Sequence, residues 1–164
     1  MPDFDGPAIL RSLTEHDVAF ILIGGFAAVV HGSPLLTRDV DVVPDPDHDN
    51  LTRLSACLRS LEARIRNGDD ESLPFAHDAT SLAGSVFWNL STKHGDLDIS
   101  FRPSGTDGFE DLRQDAITIV LGGSPVLLAS LADIIRSKDA ANRDKDHRAL
   151  PVLRKLLDEQ RRNP

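Results

Sequence analysis

Two short stretches constrain this chain more than any other part of it. "TRDVDVV" (Thr37–Val43) and "GDLDISF" (Gly95–Phe101) each alternate an acid with an aliphatic or β-branched residue. Such a run reads as a strand, and on a strand every second side chain faces the same way. Asp39 and Asp41 then share one face, with Val40 and Val42 on the other. In the second stretch Asp96, Asp98 and Ser100 share a face, opposite Leu97, Ile99 and Phe101. The apolar faces can join a core. The acidic faces repel themselves and are costly to bury unpaired. A divalent cation resolves that repulsion: magnesium commonly takes one or two carboxylates together with substrate phosphates. If the two strands are neighbours, a third carboxylate reaches the same place. That layout suits in-line displacement at phosphorus, with one metal on a triphosphate and a second lowering the pKa of an attacking hydroxyl. The third acid either ligates the second metal or accepts the proton.

Upstream, Gly24-Gly25 falls between the apolar run "AFILI" and the helical "FAAVVHG". Two readings stand. Glycine lets backbone approach a phosphate closely, and amides at a helix start favour anions; or the pair is a tight strand-to-helix turn. Neither G-x-x-x-x-G-K nor G-x-G-x-x-G occurs, so a P-loop or Rossmann assignment is not supported.

The remaining pattern predicts a helix over Asp5–Asp17, a strand over Ala19–Ile23, and a short helix closed by Gly32. A loop "SPLL" follows, then the Asp39 strand stopped by Pro44, then a helix capped by Asp47 or Asp49 and running to about Arg64. Residues 67–80 read as an exposed acidic loop. "SVFWNLST" and "DLDISF" form a hairpin around "KHG". A short helix at 104–113 and a strand at "AITIVLGG" come next. "SPVLLASLADIIRSKDAA" starts apolar and becomes helical, and Pro151 sits in the first turn of a last helix. The expected class is mixed α/β: a small mixed sheet flanked by helices, with helices at the C-terminal end. Residues 1–164 are expected to form one domain, with a core over about 18–128 and a helical segment over about 129–160.

The formal net charge of −8 argues against a generally basic nucleic-acid surface. Its distribution is uneven: residues 1–130 carry a balance of −11, residues 131–164 one of +3. The basic end either meets phosphates or is a solvated helical face. Cys57 is the single cysteine, which suits a reducing cytoplasm. No apolar run approaches the ~20 residues of a membrane span, and the acidic "MPDFDGPAIL" lacks the basic start of a secretory signal.

Taken together, the glycine pair, the following helix, the Asp-x-Asp strand and the later Asp resemble the nucleotidyltransferase superfamily with the DNA polymerase β-like fold. "GGFAAVVHG", "TRDVDVV" and "LADIIRSKDAANRDKDHRALPVL" look most like small bacterial stand-alone members, including AbiEii-type toxins of toxin–antitoxin systems. The resemblance runs from about Ile21 to Leu153. It implies that Gly24 and Gly25 contact nucleotide phosphates, that Asp39 and Asp41 hold Mg2+ (or Mn2+), and that Asp98 is the third acid. It also implies that Lys138 neutralises the triphosphate or positions the nucleotide, with Arg143 and Asp146 as weaker carry-overs. Relatives carry an Arg before the Thr where this chain has "SPLLT". Either a contact is missing or Arg38 replaces it. The implied activity transfers a nucleoside monophosphate from a nucleoside triphosphate to a hydroxyl of tRNA or of a protein, with a cognate antitoxin as partner; a small antibiotic acceptor also fits the superfamily but would want more substrate-binding domain than this chain supplies. Two rivals stand: a catalytically inactive binding module acting through a protein partner, and a phosphohydrolase using water.

Other residues read as structural. His31 is expected to interact with the carbonyls at its helix end, Asp96 to face solvent, one of Phe87 and Trp88 to be core, and Cys57 to be packing. His77 and His94 lack partners at metal-ligand spacing. "DPDHDN" (Asp45–Asn50) lacks the glycine and the final acid of a calcium loop.

Overall fold

The computed structural model describes residues 3–66 and 75–164. Helix α1 (Gly6–Glu15) starts where Asp5 accepts the Ala8 N–H at 3.0 Å, with a proline in its first turn, and it buries Ile9, Leu10 and Leu13. Strand β1 (Phe20–Ile23) is buried throughout. It runs straight into α2 (Gly24–Val30), so the glycine pair opens the helix instead of lying in a turn ahead of it. Strand β2 (Asp39–Pro44) carries the first Asp-x-Asp.

Helix α3 (His48–Ser60), capped by Asp47, stops four residues short of the expected Arg64. Glu62 takes a left-handed φ of +55°, turning the chain so that β3 (Arg64–Ile65) can add to the sheet. Of the loop expected over 67–80, residues 67–74 lie outside the described residues. Its end is helical: Asp78 and Ser81 form a capping box for α4 (Ala79–Ala83). The predicted hairpin is present as β4 (Phe87–Thr92) and β5 (Gly95–Ser100). Helix α5 (Phe109–Arg113) is shorter than the 104–113 expected.

The single strand expected next is a second hairpin, β6 (Ile117–Leu121) and β7 (Ser124–Leu128), turning on Gly122-Gly123 with φ of +57° and +84°. The apolar "PVLLASLADII" passes from strand to helix with no glycine or proline to mark the change, which hid β7 in the sequence. Helix α6 (Leu131–Ala141), capped by Ser130, is joined to α7 (Asp144–Arg162) through Asn142 at a left-handed φ of +56°. Pro151 lies in the interior of α7 and not in its first turn. It is exposed there, and it removes one helical hydrogen bond.

Among the described residues, seven strands form one mixed sheet in the order β3-β4-β5-β2-β1-β7-β6. β2 pairs antiparallel with β1 and parallel with β5; β1 pairs parallel with β7. Val40, Val42, Leu97 and Ile99 are at most 1 % exposed and join Ile9, Leu13, Leu54 and Leu58 in one core, under α1 and α3. The opposite side of β2 and β5 carries the acids. Among the described residues no helix is long and apolar enough to cross a membrane.

Candidate functional site

The parallel register of β2 and β5 sets Asp39 opposite Asp96 and Asp41 opposite Asp98. In-register neighbours on a sheet point to the same side, so the two acidic faces coincide. Carboxylate oxygens of Asp39, Asp41 and Asp98 lie within 4.8 Å of one another, each side chain half-buried. The Thr37 hydroxyl donates to Asp39 Oδ1 at 3.1 Å.

Crowding of like charge out of water shows in the proton affinities. Burial, then the nearby Asp39 and Asp98, push Asp41 up to about 7, against a weaker pull from Lys145 and Lys138. Burial also pushes Asp98 up to about 6, opposed by Arg66 and reinforced by Asp39.

Gly24 holds a left-handed φ of +77°, and a Cβ on it would overlap the Asp41 carboxylate. A Cβ on Gly25 would come 3.1 Å from Thr37 Oγ1. Gly24 is therefore required by the close approach of α2 to β2 at the acid cluster, whereas at Gly25 the Thr37 side chain would have to give by only a few tenths of an ångström. Three hard oxygen donors on rigid strands, beside a wall kept free of side chains, fit a divalent cation of the magnesium or manganese kind.

Arg66, which the sequence did not single out, reaches the cluster from the end of β3. Its Nη2 donates to Asp98 Oδ1 at 2.8 Å, and its Nη1 lies 3.2 Å from Asp96 Oδ2. Asp96, with its side chain 41 % exposed as expected, is in addition an ion-pair partner of Arg66. Nothing in the local sequence marks Arg66; its role arises from the pairing of β3 with β4.

A cleft of ≈ 860 Å3 opens over the acids. Helices α6 and α7 give it a cationic wall of Lys138, Arg143, Lys145 and Arg148. Asp146, fully buried, organises that wall: Arg143 Nε donates to its Oδ2 at 2.7 Å, and Lys138 Nζ lies 3.6 Å from its Oδ1. Lys145 and Arg148 make no ion pair among the described residues. Both belong to the basic excess of residues 131–164, so a signal for them was present. Arg38 also lines the cleft and is exposed.

Part of the cleft's exposed lining is apolar. Leu35, Leu36, Val86 and Phe87 line it and are 39 %, 100 %, 57 % and 59 % exposed. Phe87 shares the acidic face through its register with Ser100. Trp88 is structural: Nε1 donates to the Leu82 carbonyl at 3.0 Å and its ring packs on Phe75. His31 Nε2 pairs with the Ala129 carbonyl at 2.8 Å, tying α2 to the segment before α6 instead of meeting its own helix end as expected. Cys57 is buried, and burial pushes its thiol up to about 11, so it is no nucleophile near neutral pH.

Neither a protein-family model nor a curated protein matches the sequence. Solved structures do match the fold. The crystal structure of the lincosamide antibiotic adenylyltransferase LnuA with lincomycin bound aligns over 95 % of this chain and 99 % of its own, at a TM-score of 0.62 and 15 % identity. The solution structure of the antibiotic-resistance factor ANT(2'')-Ia aligns over 93 % of this chain and 80 % of its own, at a TM-score of 0.54 and 15 % identity. An antigenic nucleotidyltransferase-like protein from Paracoccidioides brasiliensis aligns over 90 % and 72 %, at a TM-score of 0.52 and 19 % identity. The chain shares the fold of these proteins.

Proposed function

We propose that the protein is a divalent-metal-dependent nucleotidyltransferase that moves a nucleoside monophosphate from a nucleoside triphosphate to a hydroxyl, releasing pyrophosphate. The observation that carries the reading is the meeting of Asp39, Asp41 and Asp98 oxygens within 4.8 Å beside Gly24. The fold shared with LnuA and ANT(2'')-Ia supports it.

In this reading Asp39 and Asp41 are the metal ligands, and Asp98 either completes the ligand set or accepts the acceptor's proton. Backbone at Gly24 and Gly25 lies against the triphosphate, with Arg38 near it. Lys138, Lys145 and Arg148 face the phosphates across the cleft and balance their charge. When bound, the cation supplies charge neutralisation at phosphorus and favours ionisation of the acceptor hydroxyl. The protein's share is positioning and preorganised charge.

Magnesium as the ion, ATP as the donor and an RNA or protein hydroxyl as the acceptor are the finer parts of the proposal. So is a role as the toxin of a cytoplasmic toxin–antitoxin pair. They rest on the resemblance carried by "GGFAAVVHG" and "TRDVDVV". A small-molecule acceptor is the second reading, favoured by the exposed apolar lining of Leu35, Leu36, Val86 and Phe87. Chain length does not argue against it, because this chain matches LnuA, a lincomycin-bound protein, over 99 % of the latter's length.

The test is incubation with each labelled nucleoside triphosphate, Mg2+ and either a cell extract or a panel of small hydroxylated compounds. Pyrophosphate release with label on the acceptor is expected, and neither with Asp39→Ala. Phosphate release without labelling would favour the phosphohydrolase, and nucleotide left intact would favour the inactive binding module.

A further inference from the structure

One acid of the cluster is already held by a cation of the chain's own. Arg66 is fixed at both ends. Its backbone N–H donates to the Asn89 carbonyl at 2.9 Å and its Nη1 donates to the Leu90 carbonyl at 3.0 Å, anchoring it on β4. Its fork then spans β5, with Nη2 2.8 Å from Asp98 Oδ1 and Nη1 3.2 Å from Asp96 Oδ2. A guanidinium is permanently charged, and its planar fork is rigid, so this is a preorganised charge and not a wandering side chain. Asp98 and Arg66 are only 19 % and 33 % exposed at their side chains, which limits screening by water.

The other two acids differ. Asp39 and Asp41 make no ion pair among the described residues; Asp39 takes a hydroxyl from Thr37, and Lys138 is drawn to Asp146. The positive charge supplied by the chain within hydrogen-bonding reach is therefore all on the Asp98 side of the cluster.

We infer that Arg66 takes the place of a second metal ion: the site loads one divalent cation, on Asp39 and Asp41, and Arg66 supplies the charge at Asp98. The inference rests on the nucleotidyl-transfer reading and narrows the role of Asp98 within it. With Oδ1 on Arg66, Asp98 has its second oxygen to serve as proton acceptor. The acceptor oxygen forms its bond to the α-phosphorus as the bond from that phosphorus to the bridging oxygen breaks. Pyrophosphate leaves with the electron pair, and the hydroxyl proton goes to Asp98. Arg66 touches no reacting atom here; it is a positioning residue.

The test counts Mn2+ ions by electron paramagnetic resonance, titrating Mn2+ alone at pH 8 into the wild-type chain, Arg66→Gln and Arg66→Met. The Met variant keeps the apolar stem if Gln disturbs the fold, and circular dichroism identifies folded variants. One Mn2+ per wild-type chain is expected. In the variants a second is expected, with the broadened spectrum of a spin-coupled pair; two-metal sites hold their ions roughly 4 Å apart. Two coupled ions on the wild type would overturn the assignment of Arg66 alone, as would variants that stay at one. No bound Mn2+ on the wild type would overturn both this inference and the metal-dependent reading beneath it.

Discussion

Gly24 lies directly under the Asp41 carboxylate: a Cβ at that position would overlap Asp41 Oδ2, and the backbone there has a φ of +77°. The contact joins the first residue of α2 to the middle of β2, and it makes the space around the acids depend on one missing side chain.

Gly24→Ala is therefore expected to do two things at once. It forces a left-handed residue other than glycine, at a cost of roughly 1–3 kcal/mol, and it displaces Asp41. Thermal melting should register the first effect. A loss of Mn2+ affinity of at least tenfold should register the second. Unchanged Mn2+ affinity would show that Asp41 is not a ligand.

The acid cluster also gives the metal-free protein an unusual pH dependence. Unfolded, Asp41 loses its proton near its ordinary 3.8; folded, it keeps it until about 7. The fold binds that proton more tightly, so the stability it contributes is complete below about pH 4 and is lost as pH rises through 7. At about 1.4 kcal/mol per pH unit the loss is on the order of 4 kcal/mol. Asp146 runs the opposite way: it is buried, but the Arg143 fork outweighs that and holds its carboxyl below the usual range, so its contribution is lost only in acid. Urea unfolding between pH 5 and 8 separates the first effect from the second. Stability should fall across that window in EDTA, recover with Mg2+ at pH 8, and fall less in Asp41→Asn, where the raised Asp98 still contributes below about pH 6.

Asp146 has no solvent exposure and binds Arg143 through two of its guanidinium nitrogens, at 2.7 and 3.2 Å. Breaking a buried pair by removing one partner typically costs about 3–5 kcal/mol. Half of Arg143 is exposed, so the lower end is expected for Asp146→Ala, measured by chemical denaturation. Nucleotide affinity should fall with it, because Lys138 and Arg143 lose their common anchor. A loss of stability with unaltered nucleotide affinity would mean that the cationic wall does not face the phosphates.

The acidic strands were legible because alternation needs only local spacing: "TRDVDVV" and "GDLDISF" each show one apolar and one acidic face before any fold is known. What spacing could not say is that β2 and β5 pair in parallel with Asp41 beside Asp98, a long-range register. The same limit hid Arg66, which reaches Asp98 only because β3 adds to β4. Glu62 adopts a left-handed turn without being glycine, so the end of α3 carried no usual marker, whereas Asn142 at the sharp joint between α6 and α7 is a residue that tolerates this conformation. Pro151 misled for the opposite reason, since an exposed proline inside α7 looks like a helix start. The basic excess after residue 130 was visible, and Lys145 and Arg148 on the cleft wall account for part of it.

Phe87 offers a test of the acceptor. Its ring is 59 % exposed in the cleft, so Phe87→Ala should change the melting temperature little. If the apolar lining receives the acceptor, KM for that compound should rise on the order of tenfold with kcat nearly unchanged, the pattern of lost uniform binding. An unaltered KM would assign Phe87 no part in acceptor binding.

The proposed activity stands or falls on whether the Asp39 and Asp41 carboxylates of β2 share a cation beside Gly24. Anomalous diffraction from crystals soaked in Mn2+ tests it most directly. A strong peak in contact with oxygens of both Asp39 and Asp41 is expected, absent in Asp41→Asn crystals. A peak elsewhere on the molecule, or no peak between these two side chains at saturating Mn2+, would contradict it.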